Sequence, residues 1–237
     1  MSRTDIEWCR NEDGTKGWTV NPVKGLCPMC CSDGDGKEYC YARRMYHRFG
    51  WNPAIRYTPA AFDSVMRQGG PGQRIFVGST MELFGSWVEP HVMPDILENV
   101  VGPFPQRTFI FLTKRPRELV QYSPWPDNCW VGASVTDDVM LTHTWRHLRD
   151  VKARVRFVSF EPLLSWGMPA EDTEWTLRDA GINWIIIGQK TPVGKDIPIS
   201  WVMDIERAVG KVGIPVFEKD NMARLMSRPL RQEWPGR

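Results

Sequence analysis

The chain has 237 residues, with 30 Lys plus Arg against 28 Asp plus Glu, a formal charge of +2 and a pI near 8.2. Near-neutrality excludes a strongly basic nucleic-acid surface while leaving room for a local patch. With 42% hydrophobic and 24% charged residues the composition excludes disorder. No stretch approaches the length of a membrane-spanning helix.

The start, Met1-Ser2-Arg3-Thr4-Asp5-Ile6-Glu7, has no basic segment followed by an apolar run, so no signal peptide is expected. A cytoplasmic, reducing compartment follows as the default, the host cytoplasm if the chain is phage-encoded, and the cysteines are read as thiols or ligands. Four of the six, Cys27, Cys30, Cys31 and Cys40, fall within fourteen residues, while Cys9 and Cys129 stand apart. Beyond them, Pro59–Gln68 follows Thr58, a candidate N-cap with Pro at the first helical position. Arg74–Ser79 and Thr108–Thr113 are nearly continuous apolar runs, as are Cys129–Val135, Val155–Glu161, Trp184–Gln189 and Pro215–Glu218. Such runs suit strands buried on both faces of a parallel sheet. Helical segments are expected between them at Pro90–Val101, Asp137–Val151 and Ser200–Val212, the last two opening on capping residues. Alternating strand and helix argues an α/β fold, either a barrel or a doubly wound sheet, in one domain spanning 1–237.

The strand runs end in polar groups: Ser79-Thr80, Thr113-Lys114, Ser134, Ser159 with Glu161, and Gly188-Gln189. In a βα barrel those ends form the active-site face; strand ends are also polar simply because loops begin there. The cysteine loop, 25–42, admits two readings. Zinc wants four ligands, which Cys27, Cys30, Cys40 and His47 would supply at a spacing that fits no familiar knuckle. Alternatively, three cysteines hold a 4Fe-4S cluster and leave one iron open for a small molecule. Cys27, Cys31 and Cys40 then give gaps of three and eight residues.

In this respect the sequence resembles the radical S-adenosyl-L-methionine (SAM) enzymes, whose usual gaps are three and two with an aromatic residue before the last cysteine. Tyr39 holds that position, and Ser32–Lys37 reads as an insertion. The middle ligand is Cys30 or Cys31, with Cys31 favoured. Asp5-Ile6-Glu7-Trp8, Asn21-Pro22-Val23-Lys24-Gly25 and Cys40-Tyr41-Ala42-Arg43-Arg44-Met45 narrow the resemblance to the phage Gp37/Gp68 family, the DUF5131 group. Further blocks follow in order: Gly78–Phe84, Phe111–Pro116, Trp130–Val135, Phe157–Leu164, Ile185–Gly188 and Pro215–Lys219. Two places depart from the family pattern. Gln189-Lys190-Thr191 stands where Gly-Glu-Ser is usual, and Glu82 where Asp is common.

The resemblance implies a partial (β/α)6 TIM-like radical SAM barrel with the cluster loop after the first strand. Its cofactors would be a 4Fe-4S cluster on Cys27, Cys31 and Cys40 and SAM, yielding a 5′-deoxyadenosyl radical, with an electron donor as partner. Tyr39 would pack on adenine, Ser79, Thr80 and Glu82 would meet the methionyl amine, and Lys114 would meet a carboxylate or phosphate. Ser134, Ser159 and Glu161 would line the same mouth, Glu161 contacting ribose or substrate. The implied substrate is a modified thymine in DNA, with isomerisation of a glycine-substituted thymidine favoured; no membrane is involved. Arg43, Arg44 and Arg48, then Lys114, Arg115 and Arg117, then Arg146, Arg149, Lys152, Arg154 and Arg156, then Arg224, Arg228, Arg231 and Arg237 are basic groups interleaved with Trp and Tyr. They suit phosphate contact and stacking, or solvated helix faces. Two other readings stand beside this one. The first is a radical SAM enzyme on a free nucleotide, peptide or metabolite, or a photoproduct-lyase-like repair enzyme. The second is a non-enzymatic zinc or iron–sulfur module that binds nucleic acid.

Overall fold

The computed structural model describes residues 1–191 and 196–236; Arg237 lies outside them. The chain divides into two compact units, Met1–Thr113 with Pro126–Trp130, and Lys114–Trp125 with Val131–Arg237.

In chain order the first unit contributes β1 (Ser2–Arg3), β2 (Trp18–Val20), β3 (Val23–Lys24), α1 (Tyr41–Phe49), β4 (Arg56–Tyr57), α2 (Asp63–Arg67), β5 (Arg74–Val77), α3 (Val92–Ile96) and β6 (Thr108–Thr113). β1 pairs antiparallel with β2; β2, β5 and β6 run parallel, with Ile75 opposite Trp18 and Phe109. Every residue of β5 is buried, and Ile75, Phe109, Phe111 and Ile96 are at or near zero exposure. Burial on both faces explains the uninterrupted apolar runs. β3 and β4 form a separate antiparallel ribbon.

β7 (Cys129–Ser134) begins in the first unit and runs into the second, which continues with α4 (Asp138–Leu148), β8 (Val155–Phe160), α5 (Ala170–Asp179), β9 (Trp184–Ile187), α6 (Ile199–Val212) and β10 (Val216–Glu218). β8, β9 and β10 are parallel neighbours, with Ile185 opposite Val158 and Val216. α5 packs against α6, whose Val202, Ile205 and Val209 are fully buried. Both units set parallel strands among helices, and the chain is a mixed α/β protein. Among the described residues no helix is long and apolar enough to cross a membrane.

All six expected strands are present, each within two residues of its expected bounds. Three helical expectations need correction. Pro59–Phe62 is a 3-10 turn that leads into α2, and the Thr58 side chain caps nothing. Ser200 is the second residue of α6, not its cap; Pro198 holds that position and no side chain caps. The α3 segment is α-helical only to Ile96 and widens to π geometry over Leu97–Val101. α4 does open as expected, with Asp137 Oδ1 accepting the Met140 N–H at 2.8 Å. α5 carries no apolar stripe to find. Half of its buried face is threonine, while Trp175 is exposed. Thr173 and Thr176 donate back to the Pro169 and Asp172 carbonyls at 2.9 and 2.7 Å, which satisfies their hydroxyls inside the core.

The C-terminal segment straps β10. Gln232 bridges Phe217 in antiparallel fashion, and the Glu218 N–H donates to the Arg231 carbonyl at 2.7 Å. The Glu218 carboxylate is wholly buried and receives both Arg228 terminal nitrogens at 2.8 Å, plus the Arg231 N–H at 2.6 Å. A forked guanidinium bond of this kind is geometry-specific and charge-assisted. Removing one partner leaves a buried charge uncompensated, which costs about 3–5 kcal/mol. Arg228→Ala should therefore lower unfolding stability by about that amount, read as a shifted urea midpoint at unchanged slope.

Candidate metal centre

The cysteine loop is anchored at both ends. At its start the Leu26 N–H donates to the Pro53 carbonyl at 2.9 Å, and the Gly25 N–H to the Tyr46 hydroxyl at 2.7 Å. At its end Cys40 is the N-cap of α1, its sulfur accepting the Arg43 N–H at 3.5 Å. Arg43 also reaches back, donating from Nη2 to the Cys27 carbonyl at 2.8 Å, with its Nε 3.6 Å from Glu38. One helical turn thus holds both extremes of the cysteine set.

The residues between Cys31 and Cys40 fold on themselves. The Tyr39 N–H donates to the Cys31 carbonyl at 3.0 Å, Ser32 bridges Glu38, and the Asp33 N–H donates to the Lys37 carbonyl at 3.0 Å. A tight turn closes the tip, with the Gly36 N–H on the Asp33 carbonyl at 2.9 Å and the Lys37 N–H on Asp33 Oδ1 at 2.8 Å. Gly36 has φ of 73°, left-handed backbone that suits glycine after such a turn. The insertion is a miniature hairpin, and it returns the chain to where it left.

The thiols of Cys31 and Cys40 are consequently hydrogen-bonded. That bond from Cys31, opposed by burial and helped by the Arg43 N–H, holds the Cys40 thiol down to about 6. Cys27 is half-buried; burial pushes its thiol up, against the backbone N–H groups of Glu82 and Met29, and Cys40 lies close enough to add repulsion. Cys30 is exposed, its thiol 3.8 Å from the Pro28 carbonyl. His47 is exposed near the end of α1. Among the described residues, no three His, Cys, Asp or Glu side chains converge on a single ion position. Cysteines that bind separate irons of one cluster have no need to converge on a point.

The turn after β5 packs beside this loop. Asn21 ties it down: its amide exchanges hydrogen bonds with Ser79 Oγ at 3.2 Å and accepts the Thr80 N–H at 3.1 Å. The Tyr41 hydroxyl donates to the Ser79 carbonyl. Glu82 Oε1 accepts Thr113 Oγ1 at 2.7 Å and the Phe84 N–H at 3.1 Å. Tyr39 is half-buried, as are Ser79, Thr80 and Glu82. Within the first unit the structure therefore brings together Cys27, Cys31, Cys40, Tyr39, Ser79, Thr80 and Glu82.

Lys114, Ser134, Ser159 and Glu161 belong to the second unit. Lys114 is half-buried and Ser134 buried. Ser159 is completely buried with no hydrogen-bond partner for its hydroxyl. Glu161 pairs with Lys219, which follows β10. The Lys219 stem crosses Gly188 so closely that a Cβ there would lie 2.8 Å from Lys219 Cδ, so a larger residue would make that stem shift. Gln189 is held by Asn221, its Nε2 donating to the Asn221 carbonyl at 3.1 Å and its backbone carbonyl accepting Asn221 Nδ2 at 2.8 Å. Sequence reasoning missed Asn21, Arg43, Lys219 and Asn221 as site builders. The first three fall inside the family-like blocks, which was the available signal.

The fold and site define an α/β protein with a four-cysteine loop in which a hairpin brings Cys31 and Cys40 together. Residues 3–228 match a family model described as "Protein of unknown function (DUF5131)", and the chain belongs to that family. Among curated proteins none matches it.

Thiol chemistry gives a direct check on this geometry. Burial pushes Cys9 up to about 12 and raises Cys129 as well, and both are buried. In metal-free protein a thiol titration should count the four loop cysteines natively and Cys9 and Cys129 only in denaturant. Alkylation mapped by mass spectrometry should modify Cys40 readily at pH 7 and lose it as pH falls through about 6, where its thiolate protonates. Cys27, with its thiol raised, should lose reactivity at higher pH than Cys40.

Proposed function

We propose that this protein is a radical SAM enzyme of the partial (β/α)6 barrel type, with Cys27, Cys31 and Cys40 as ligands of a 4Fe-4S cluster. The observation that carries the proposal is the hairpin closure at Cys31 and Tyr39, which sets the Cys31 and Cys40 thiols in contact with Cys27 beside them. It turns an eight-residue gap into a spatially short one, and leaves Cys30 outside. The donor set suits the cluster. Backbone N–H groups point at two of the three sulfurs; at Cys40 the Arg43 N–H adds to the Cys31 bond in favouring thiolate, and at Cys27 the N–H groups offset part of what burial costs the thiolate. When bound, the cluster and SAM supply a 5′-deoxyadenosyl radical able to abstract a hydrogen atom from a substrate.

The chain's own residues have bounded roles. Arg43 clamps Cys27 to α1 and keeps the loop closed. Tyr39 shields the last ligand and offers a face for adenine. Glu82, held at Oε1 by Thr113 and Phe84, is a carboxylate of fixed direction beside the Cys27 sulfur, suited to a primary ammonium group. The Ser79–Thr80 turn, fixed by Asn21, sets where Glu82 starts. In the second unit Lys114 is the candidate for a carboxylate or phosphate. Ser159 offers a buried hydroxyl still lacking a partner. Glu161 is kept in place by Lys219 for a ribose or substrate hydroxyl, and Ser134 lines the same strand ends. The substrate we propose is a modified thymine in DNA, rearranged at a glycine substituent, in the cytoplasm of the host cell with an electron donor as partner.

Anaerobic incubation of iron- and sulfide-reconstituted protein with SAM and a reductant should form 5′-deoxyadenosine. Cys27→Ala, Cys31→Ala and Cys40→Ala should each abolish the product and the cluster's optical absorbance, while Cys30→Ala retains both. A colourless protein with one zinc would defeat the proposal. Loss of the cluster in Cys30→Ala but not in Cys31→Ala would overturn the ligand assignment alone.

A further inference from the structure

A surface of the first unit next to the cysteine loop sets exposed rings among cations. Phe49 closes α1 and is 54% exposed; Trp51 follows it at 42%. Their rings stack at 5.5 Å between centroids with an interplanar angle of 22°. The Arg48 guanidinium carbon stands 5.4 Å from the Phe49 centroid. Two adjoining aromatic rings left in water forgo the burial that large apolar side chains ordinarily gain.

Charge supplies an independent observation. Lys24 and Arg56 sit directly opposite one another in the β3–β4 ribbon, and both are exposed. Like charges directly opposed destabilise a ribbon, a cost that an anion lying across the pair would remove. Tyr46 joins the ribbon to the rings. Its hydroxyl accepts the Gly25 N–H, its carbonyl accepts the Trp51 N–H at 3.2 Å, and its ring meets Trp51 edge-on at 5.2 Å. The 24 residues from Tyr39 to Phe62 contain Arg43, Arg44, Arg48 and Arg56 and not one carboxylate side chain. Glu89 lines the small cleft beside Arg56.

We propose that this patch, Phe49 and Trp51 flanked by Arg48, Lys24 and Arg56, binds single-stranded nucleic acid. Unstacked bases lie on the rings and phosphates meet the cations. Every base has a π-face, so stacked aromatics bordered by Arg and Lys take such a strand without regard to sequence. An acidic protein would match the cations, whereas a strand with a base beside every phosphate matches the cations and the stacked rings together. A membrane surface asks for a broader apolar face than two side chains. The proposal rests on the function above only in choosing DNA over RNA, and its test needs no turnover.

The test is fluorescence anisotropy of the full chain with a labelled mixed-sequence DNA oligonucleotide, across a salt series. Phe49→Ala and Trp51→Ala should each weaken binding by roughly tenfold. Arg48→Gln should reduce the slope of log affinity against log salt by about 0.7. Lys24→Gln should weaken binding yet raise the melting temperature, because it relieves the opposed charges. That pair of readouts separates a binding role from a folding defect, as does Phe49→Ala should Trp51→Ala unsettle Tyr46. Unchanged affinity in Phe49→Ala and Lys24→Gln overturns the proposal, as does capture by phosphatidylserine vesicles with none by the oligonucleotide. Binding that depends on Phe49 in a protein forming no 5′-deoxyadenosine upholds this surface and defeats the radical reading. The reverse pattern defeats this surface alone.

Discussion

The hydrogen bond from the Tyr39 N–H to the Cys31 carbonyl decides what the cysteine loop can be. Without it, Cys31 and Cys40 are the ends of a floppy stretch with two glycines and two aspartates between them. Lengthening a gap from two residues to eight is two doublings, worth about 1.2 kcal/mol of closure entropy. Each net hydrogen bond returns about 1 kcal/mol. The hairpin makes three backbone bonds and one from the Lys37 N–H to Asp33 Oδ1, so the insertion carries its own closure. The cysteine geometry is thereby insulated from the length of the tip.

Helix α1 propagates that local order. Its first turn caps on Cys40 and sends Arg43 to the Cys27 carbonyl; its second presents Tyr46, whose hydroxyl fixes the loop's opening residue Gly25. Its end displays Phe49 and Arg48. Nine residues therefore serve the sulfur site, the ribbon and the aromatic patch at once. The constraint also explains why the helix has only two buried residues, Ala42 and Tyr46. It is held by specific polar contacts at each turn more than by an apolar stripe.

The central strands were legible because parallel strands buried on both faces leave a run of apolar residues that no other element of that length produces. β1 to β4 were not, since two or three residues carry no periodicity and their pairing is decided by partners far along the chain. α5 escaped for a different reason, its core face being built from threonines that satisfy themselves against the helix backbone. At the site, residue types and spacing pointed to the cysteines. The preference for Cys31 over Cys30 rests in the sequence on a gap length alone; the hairpin, which closes on Cys31 and leaves Cys30 exposed, adds a physical argument for it. Asn21 and Arg43 act through backbone atoms of their neighbours, and such roles leave no mark on residue type.

The two departures from the family pattern, at Gln189 and at Glu82, are held in different ways. Gln189 uses Nε2 on the Asn221 carbonyl and Oε1 on the Ile197 N–H, so both ends of its amide join backbone within its own unit. A glycine there would leave the Asn221 carbonyl and the Ile197 N–H without these side-chain partners, and the change reads as loop architecture. Glu82 is otherwise placed: Oε1 is pinned by Thr113 and Phe84, and its own N–H lies on the Cys27 sulfur. An aspartate in its place would be one methylene shorter and would have to forgo the Thr113 bond or shift the turn that carries the N–H to sulfur. Of the two, Glu82 is the departure coupled to the cysteine site, and the one whose extra reach bears on what that site holds.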